Sequence, residues 1–306
     1  MQILTDAEVA KLVNMKEAIT AMTAAFEQFG KGTGAILARN RASATHDGKT
    51  AAIASMGAAL PASGVVGTKV YSTIDGKFNF VIVLFSASTG DALCTMAAKE
   101  ITRFRTAAAS TVAMKALTRK DAKTLSVFGT GVQANAHVEA FLLSHAFERV
   151  LVAGRKDTEA FAERIRSKFG IKAVATDMAT AAAEADVIAT CTRAFKPLFD
   201  GNLVKPGTFI AAIGTSKPQA RELDDTLLAR AARIIVEWRP AAQAEAGEFA
   251  QAAPGVIDPA RVDELGMFIT GQSQYIRHED DIVIYKAVGI GLEDIALANL
   301  VWQRAR

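Results

Sequence analysis

Hydrophobic positions along the chain follow two different rhythms. Over residues 6–29, Val9, Leu12, Val13, Met15, Ala18, Ile19, Met22 and Phe26 recur at helical spacing, which predicts an amphipathic helix or a pair of helices. Residues 50–56, 65–71, 78–86 and 92–98 are short apolar or alternating runs. They are separated by the turn signals Asp47-Gly48, Asp75-Gly76-Lys77 and Thr89-Gly90-Asp91, and predict an antiparallel meander. Residues 105–116 turn helical with small side chains. From Thr124 onward strand and helix alternate: strands are predicted at 124–128, 149–153, 172–174, 187–190, 208–213 and 233–237. The helices between them fall at 134–145, 158–169, 178–185 and 224–231. That order predicts a parallel sheet with helices on both faces. Residues 241–253 read as helix, 254–268 as a looser stretch, and 281–306 as a strand leading into a long apolar helix that packs on the first part of the chain.

Length and composition narrow the class. At 306 residues, half of them apolar, the chain has room for one large or two ordinary domains. The 35 basic and 32 acidic residues leave a net charge of +3 with no run of like charge, which gives no reason to expect a nucleic acid or an anionic membrane as partner. Cys94 and Cys191 lie far apart in apolar runs, so a disulfide framework is not expected and a reducing, cytoplasmic setting is. The opening MQILTDAEVAKLVNM lacks the basic and apolar regions of a signal peptide. No apolar run reaches the roughly 18 residues of a membrane span, so the expectation is a soluble, unprocessed protein. His46, His137, His145 and His278 form no ligand spacing. His137 and His145 read as surface or packing residues, and no metal is expected.

The chemistry concentrates at TLSVFGTGVQA, residues 124–134. An apolar strand stops at a Gly-x-Gly-x-x-Ala turn and a helical pattern starts at once, the order needed to bind a dinucleotide. Gly129 permits the turn, Gly131 lets backbone approach a pyrophosphate, and Ala134 allows close helix packing. Thr130, Val132 and Gln133 bring the N–H groups of the helix start to the phosphates. The next predicted strand ends in Gly154-Arg155-Lys156. Basic residues where an NAD enzyme carries an acid suit a ribose 2′-phosphate, so NADPH is the expected cofactor, with NADH possible. A solvated basic turn is the alternative. Thr190, Cys191 and Thr192, at the end of another strand, are candidates to line the nicotinamide pocket. Cys191 has no neighbouring base in the sequence to make it a nucleophile.

EITRFRTAAASTVAMKAL followed by TLSVFGTGVQANAHVEAF resembles the ornithine cyclodeaminase/mu-crystallin family. So do VVGTKVYSTI, IGTSKPQARELDDTLLARA and DIVIYKAVGIGLEDIALA, in family order from about residue 41 to the C-terminus. The resemblance implies an α/β protein with a Rossmann-type dinucleotide-binding domain (118–285) inserted in a mixed α+β substrate-binding and dimerisation domain (1–117 and 286–306), working as a homodimer. It implies a small cyclic imino-acid or amino-acid substrate whose carboxylate is held by Arg41, Lys69 and Arg105, with Gly289 approaching through its backbone. It adds Thr106 and Ile213 to the cofactor contacts. Arg forks suit a planar carboxylate, while Lys supplies a point charge that can also polarise an imine. Lys69 sits among apolar strand residues, where burial without a partner is costly. Arg105 opens a predicted helix, where a cation opposes the dipole unless an anion binds. Arg41, which opens the strand before the first hairpin, has Arg39 two residues away on the same side. Lys286, in the closing motif, reads as structural.

One departure separates the chemistries. Deaminating family members carry an acid two residues before the Pro of the Gly-x-x-x-Pro segment, and this chain has Ser216 there. A hydroxyl is no general base near neutral pH without a partner. The serine looks like the ketimine-reductase branch, whose members reduce cyclic imino acids. At the carboxyl end of a parallel strand it is placed to orient a substrate nitrogen or a water, and a helix- or turn-capping serine before Lys217-Pro218 fits the position equally. The expected activity is therefore reduction of a cyclic α-imino acid, with Lys69 or a water as proton source, because three cations disfavour a protonated imine. A cyclodeaminase or amino-acid dehydrogenase of the same family, or a non-catalytic NADPH-dependent binder of a small carboxylate, remain alternatives.

Overall fold

The structure is a computed structural model that describes residues 1–74 and 77–306; the Asp75-Gly76 part of one predicted turn lies outside the described residues. The chain begins with β1 (Gln2–Leu4), α1 (Asp6–Leu12), α2 (Met15–Gly30), β2 (Ala35–His46), β3 (Lys49–Leu60), β4 (Val65–Ile74), β5 (Lys77–Ser86) and β6 (Ala92–Ala97). It continues with α3 (Lys99–Leu117), β7 (Thr124–Phe128), α4 (Val132–Leu142), β8 (Arg149–Ala153), α5 (Thr158–Phe169), β9 (Lys172–Ala175), α6 (Met178–Glu184), β10 (Val187–Thr190) and β11 (Phe209–Ala212). It ends with α7 (Asp225–Arg230), β12 (Arg233–Val236), α8 (Arg239–Glu245), α9 (Gly247–Ala250), β13 (Val262–Glu264), α10 (Leu265–Ile269), β14 (Val283–Lys286) and α11 (Gly291–Ala305). The described residues fall into two compact units, Met1–Ala109 with Gly289–Arg306, and Ser110–Val288. The divisions fall within α3 and after β14, not at 117/118 and 285/286, because α3 is one continuous helix whose first half packs in one unit and second half in the other.

The first unit is a six-stranded sheet in the order β1-β6-β5-β4-β3-β2. Strands β2 to β6 form the antiparallel meander, and β1 adds to β6 in parallel, which makes the sheet mixed. Three residues are too few to show a period, so β1 escaped a reading based on alternation. The helical stretch at 6–29 is a pair, each member opened by a capping box, Thr5 with Glu8 and Asn14 with Glu17. One sheet face is buried through Ala54, Met56, Leu60, Val65, Ile82, Leu84, Cys94 and Met96, and α11 packs with α2 on this side. On the other face Leu37, Ile53 and Val81 stay exposed.

Close approach of α11 to this sheet depends on glycine. A Cβ on Gly291, the first residue of α11, would lie 2.3 Å from the Gly57 carbonyl oxygen of β3 and 2.4 Å from its nitrogen. The helix therefore starts in direct contact with the strand backbone.

The second unit is an eight-stranded, wholly parallel sheet in the order β13-β12-β14-β11-β10-β7-β8-β9. Phe128, Leu151, Ile188, Ile210, Ile234 and Ile284, one from each of six strands, share a buried core on one side. From β7 the chain winds first through β8 and β9 and then returns through β10 and β11, so strand order reverses between β7 and β10. That is where open α/β sheets bind ligands, at the carboxyl ends of their strands. The short edge strand β13 lies inside the stretch read from the sequence as looser.

Replacing Gly291 with Ala pushes α11 away from β3; the expected loss is about 1–3 kcal/mol, typical of overpacking, read as a lower urea midpoint with an unchanged slope.

Candidate functional site

In the second unit, one register row runs across the sheet through Ala153, Phe128, Thr190, Ala212, Lys286 and Val236. The residues just beyond it form the carboxyl edge, and the predicted cofactor residues lie there. Gly129 N–H donates to Ala153 O at 2.8 Å, Cys191 N–H to Phe128 O at 2.8 Å and Ile213 N–H to Thr190 O at 3.0 Å. Gly129 has φ +107°, and a Cβ there would lie 2.8 Å from Cys191 O, so only glycine lets the turn pass over β10. Gly131 caps α4 with no side-chain acceptor. The first N–H groups of that helix are those of Val132, Gln133 and Ala134, which is the arrangement a pyrophosphate needs. The chain thus fits a dinucleotide at this turn by its own geometry. Thr130 Oγ1 donates to Lys156 O at 3.3 Å and so ties the glycine turn to the basic turn after β8, where Arg155 and Lys156 are exposed. Gly154 follows β8 directly. Thr106 belongs to the first unit, where its hydroxyl donates to Thr102 O.

Beneath the edge lies a polar group that the sequence did not announce. Glu222, fully buried, accepts from Thr190 Oγ1 at 2.7 Å, Thr192 N at 2.8 Å, Thr192 Oγ1 at 2.6 Å and Gly214 N at 2.9 Å. One carboxylate therefore sets the ends of β10 and β11 together. Burial pushes its pKa up, opposed by Lys286 and the threonine hydroxyls. Lys286 is buried as the sequence suggests for a structural residue, 3.0 Å from Glu248 Oε2 and donating to Thr215 O at 3.1 Å. An acid in ARELDD beside apolar residues was the available signal for Glu222, but its partners lie 8 to 32 residues away. Burial and the Glu222 charge raise the Cys191 thiol well above its ordinary range, which disfavours the thiolate. Ser216 lies in the loop after β11. The cap of the following helix is Asp224, so the serine caps no helix.

His137, on α4, is a packing residue. Its ring bonds Gln133 O through Nδ1 at 2.8 Å and Ser110 Oγ through Nε2 at 2.9 Å, and burial lowers its pKa to about 4. No group of His, Cys, Asp or Glu suited to a metal occurs among the described residues.

In the first unit the predicted cations meet acids. Lys69, on β4, is 2% exposed and its Nζ lies 2.8 Å from Asp294 Oδ1 and 3.2 Å from Thr102 Oγ1. Arg105 Nη1 lies 2.5 Å from Glu293 Oε2, and its Nε lies 3.4 Å from Asp294 Oδ1. Glu293 and Asp294, both fully buried, are in the first turn of α11, where the helix dipole favours acids. Since α3 starts at Lys99, Arg105 sits in its second turn, and the dipole conflict expected of a helix-opening residue does not arise. The conflict is electrostatic with its neighbours instead, and Glu293 answers it. Gly289 lies against the Arg105 guanidinium: a Cβ there would be 2.7 Å from Nη1. Arg39 Nη2 donates to Gly289 O at 2.7 Å, with its Nε 3.3 Å from Met56 Sδ. Arg41 lies within β2 and does not open it; it pairs in register with Ala54 and is exposed. The register shift between Leu37 and Asn40 takes in Arg39, whose charge acts on Lys69. Burial lowers the Lys69 pKa to about 8, with Asp294 opposing and Arg105 and Arg39 adding to the fall.

The sequence profile of the Ornithine cyclodeaminase/mu-crystallin family matches residues 1–306. The chain belongs to that family. A family relative, the Delta(1)-pyrroline-2-carboxylate reductase of Bacillus cereus, is 32% identical over 317 aligned positions, covering 100% of this chain and 97% of its own. A Bordetella pertussis protein described as a probable ornithine cyclodeaminase superimposes with TM-score 0.94 at 40% identity, covering 100% of this chain and 97% of that one. The Thermococcus litoralis Delta(1)-pyrroline-2-carboxylate reductase, solved with NADH and L-proline, superimposes with TM-score 0.92 at 28% identity over the same shares. The family's α/β fold with a Rossmann-type domain is the fold of this chain.

Two expectations follow. Glu222→Gln keeps one acceptor oxygen where four donors converge and should cost about 2–4 kcal/mol, seen as a lower melting temperature with weaker dinucleotide binding. His137 is neutral in the folded protein and protonates below its ordinary pKa of 6.5 when unfolded, so it contributes stability above pH 6.5 that is lost as pH falls toward 4. Denaturation of His137→Gln between pH 7 and 4 should lose on the order of 3 kcal/mol less than the unsubstituted chain over that window.

Proposed function

We propose that the chain is an NADPH-dependent reductase of cyclic α-imino acids, forming L-proline from Δ1-pyrroline-2-carboxylate or L-pipecolate from Δ1-piperideine-2-carboxylate, with NADH a weaker donor. The observation that carries this reading is the meeting of Arg105 and Arg39 at Gly289, with Lys69 within reach of both charges, in a chain that also holds a complete dinucleotide turn. Guanidinium groups of Arg105 and Arg39, with Arg41 as the alternative third cation, clamp the substrate carboxylate. Lys69 polarises the imine and transfers its proton to the nitrogen, after which solvent restores the ammonium. Bound NADPH supplies the hydride that completes reduction of C=N to CH–NH. Ser216 supports reduction over deamination, since no carboxylate stands at its position to act as base. Arg155 and Lys156 support the 2′-phosphate. Gly129 to Ala134, Gly154, Thr190 to Thr192, Ile213 and Thr106 are assigned to the cofactor, and Ser216 to orienting the substrate nitrogen.

The exposed apolar sheet face at Leu37, Ile53 and Val81 supports a homodimer, and two cysteines outside any disulfide support a reducing, cytoplasmic setting. No helix of the described residues is long and apolar enough to cross a membrane. Ornithine cyclodeamination is the second reading, favoured by the 40% identity to the Bordetella pertussis protein.

The test is absorbance at the reduced-nicotinamide band while the protein is mixed with freshly generated Δ1-pyrroline-2-carboxylate and either NADPH or NADH. Rapid loss, faster with NADPH, is the expected result. Loss with NADH alone overturns the cofactor assignment; no loss with either, together with ammonia release from ornithine, replaces the reductase with the cyclodeaminase.

A further inference from the structure

Asp294 is the one carboxylate within hydrogen-bonding reach of the Lys69 ammonium among the described residues, at 2.8 Å, and it is wholly buried. The other groups facing Nζ come from every element packed around it: Thr102 and Arg105 of α3, Arg39 of β2, the Phe80 ring of β5 at 5.0 Å, and Glu293 of α11 through its pairing with Arg105. Two guanidinium groups and burial all oppose a charged lysine here, and Asp294 is what opposes them. Its second oxygen, Oδ2, is buried with no hydrogen-bond partner among the described residues. A buried carboxylate kept for packing alone would engage both oxygens. Asp294 instead directs one oxygen to Lys69 and leaves the other without a protein donor.

We infer that Asp294 is a positioning residue acting through Lys69: it keeps the lysine an ammonium aimed for proton delivery to a neutral imine nitrogen. The inference rests on the reductase reading for the identity of the proton acceptor, and on geometry alone for the coupling between the two side chains. In the reaction, hydride adds to the C=N carbon, the nitrogen takes the Lys69 proton, and the neutral amine left on Lys69 is reprotonated from water. Substitution by Asn removes the interaction that raises the Lys69 pKa and leaves burial, Arg105 and Arg39, all of which lower it from about 8. Lys69 in Asp294→Asn therefore loses its proton at lower pH.

The experiment titrates pyrrole-2-carboxylate, a flat carboxylate that cannot be reduced in this way, into the NADP+-loaded protein by calorimetry between pH 6 and 9, with pH profiles of imine turnover alongside. In the unsubstituted protein affinity falls as pH passes about 8. In Asp294→Asn affinity at pH 6 is equal or higher, because a competing carboxylate is gone, and it falls tenfold or more at a pH at least one unit lower. The alkaline limb of kcat/KM moves by the same amount. Weaker binding at every pH with an unmoved midpoint overturns the inference, since a structural residue would give that. Should Asp294→Asn fail to fold, Lys69→Arg decides: a guanidinium does not titrate in this range, so the limb near pH 8 must vanish while binding persists, and a limb that remains overturns the inference. Crossed binding curves without any imine turnover support the coupling and overturn the reductase reading.

Discussion

The buried ion pairs between the first turn of α11 and the cations of β4 and α3 are the constraint on which the first unit depends. An ammonium and a guanidinium with almost no solvent exposure are tolerable only where carboxylates meet them at close range. Lys69 and Arg105 are met by Asp294 and Glu293, which a helix delivers as consecutive residues. That delivery requires α11 to begin in contact with the β3 backbone, and the Gly57–Gly291 contact permits it. Packing, helix polarity and site electrostatics are thus one arrangement. Loosening the glycine contact would displace the countercharges along with the helix.

A comparable economy operates in the second unit. Glu222 takes four donors from the end of β10 and the glycine after β11, so one carboxylate ties together two neighbouring strand ends at the carboxyl edge. The glycine turn is built differently, from backbone: Gly129 over the Cys191 carbonyl and a helix start at Gly131 with no side-chain cap. Side-chain substitutions should therefore perturb the two parts of this edge unequally, since one depends on a charge and the other on the absence of side chains.

Local periodicity carried much of the fold into the sequence. The strands 124–128, 149–153 and 187–190 and the helix 158–169 have the bounds that the pattern predicts, because parallel strands are near-continuous apolar runs and α5 is strongly amphipathic. Elements without a period were hidden: β1 and β13 have three residues each, and β2 is an edge strand whose residues are largely exposed. Of the site, the fingerprint glycines and Lys69 and Arg105 could be read from local motifs. Glu293 and Asp294 could not, since their partners lie 188 and 225 residues away and GLEDIALA reads as one more apolar helix. The setting of Arg39 depends on an irregularity between Leu37 and Asn40 that no alternation of residue types reveals.

The place of β14 has a consequence for how the chain is made. This strand lies between β11 and β12, in the body of the parallel sheet, yet it is drawn from residues 283–286 of 306. During synthesis β12 and β13 have no path of pairing to the rest of the sheet until β14 has left the ribosome, and the first unit lacks α11 until a few residues later. Both units therefore close on the same last stretch of chain. Until residues 283–305 are made, a nascent chain of this sequence carries a first sheet without its covering helix and a second sheet without an inner strand, the condition under which chaperones hold a chain.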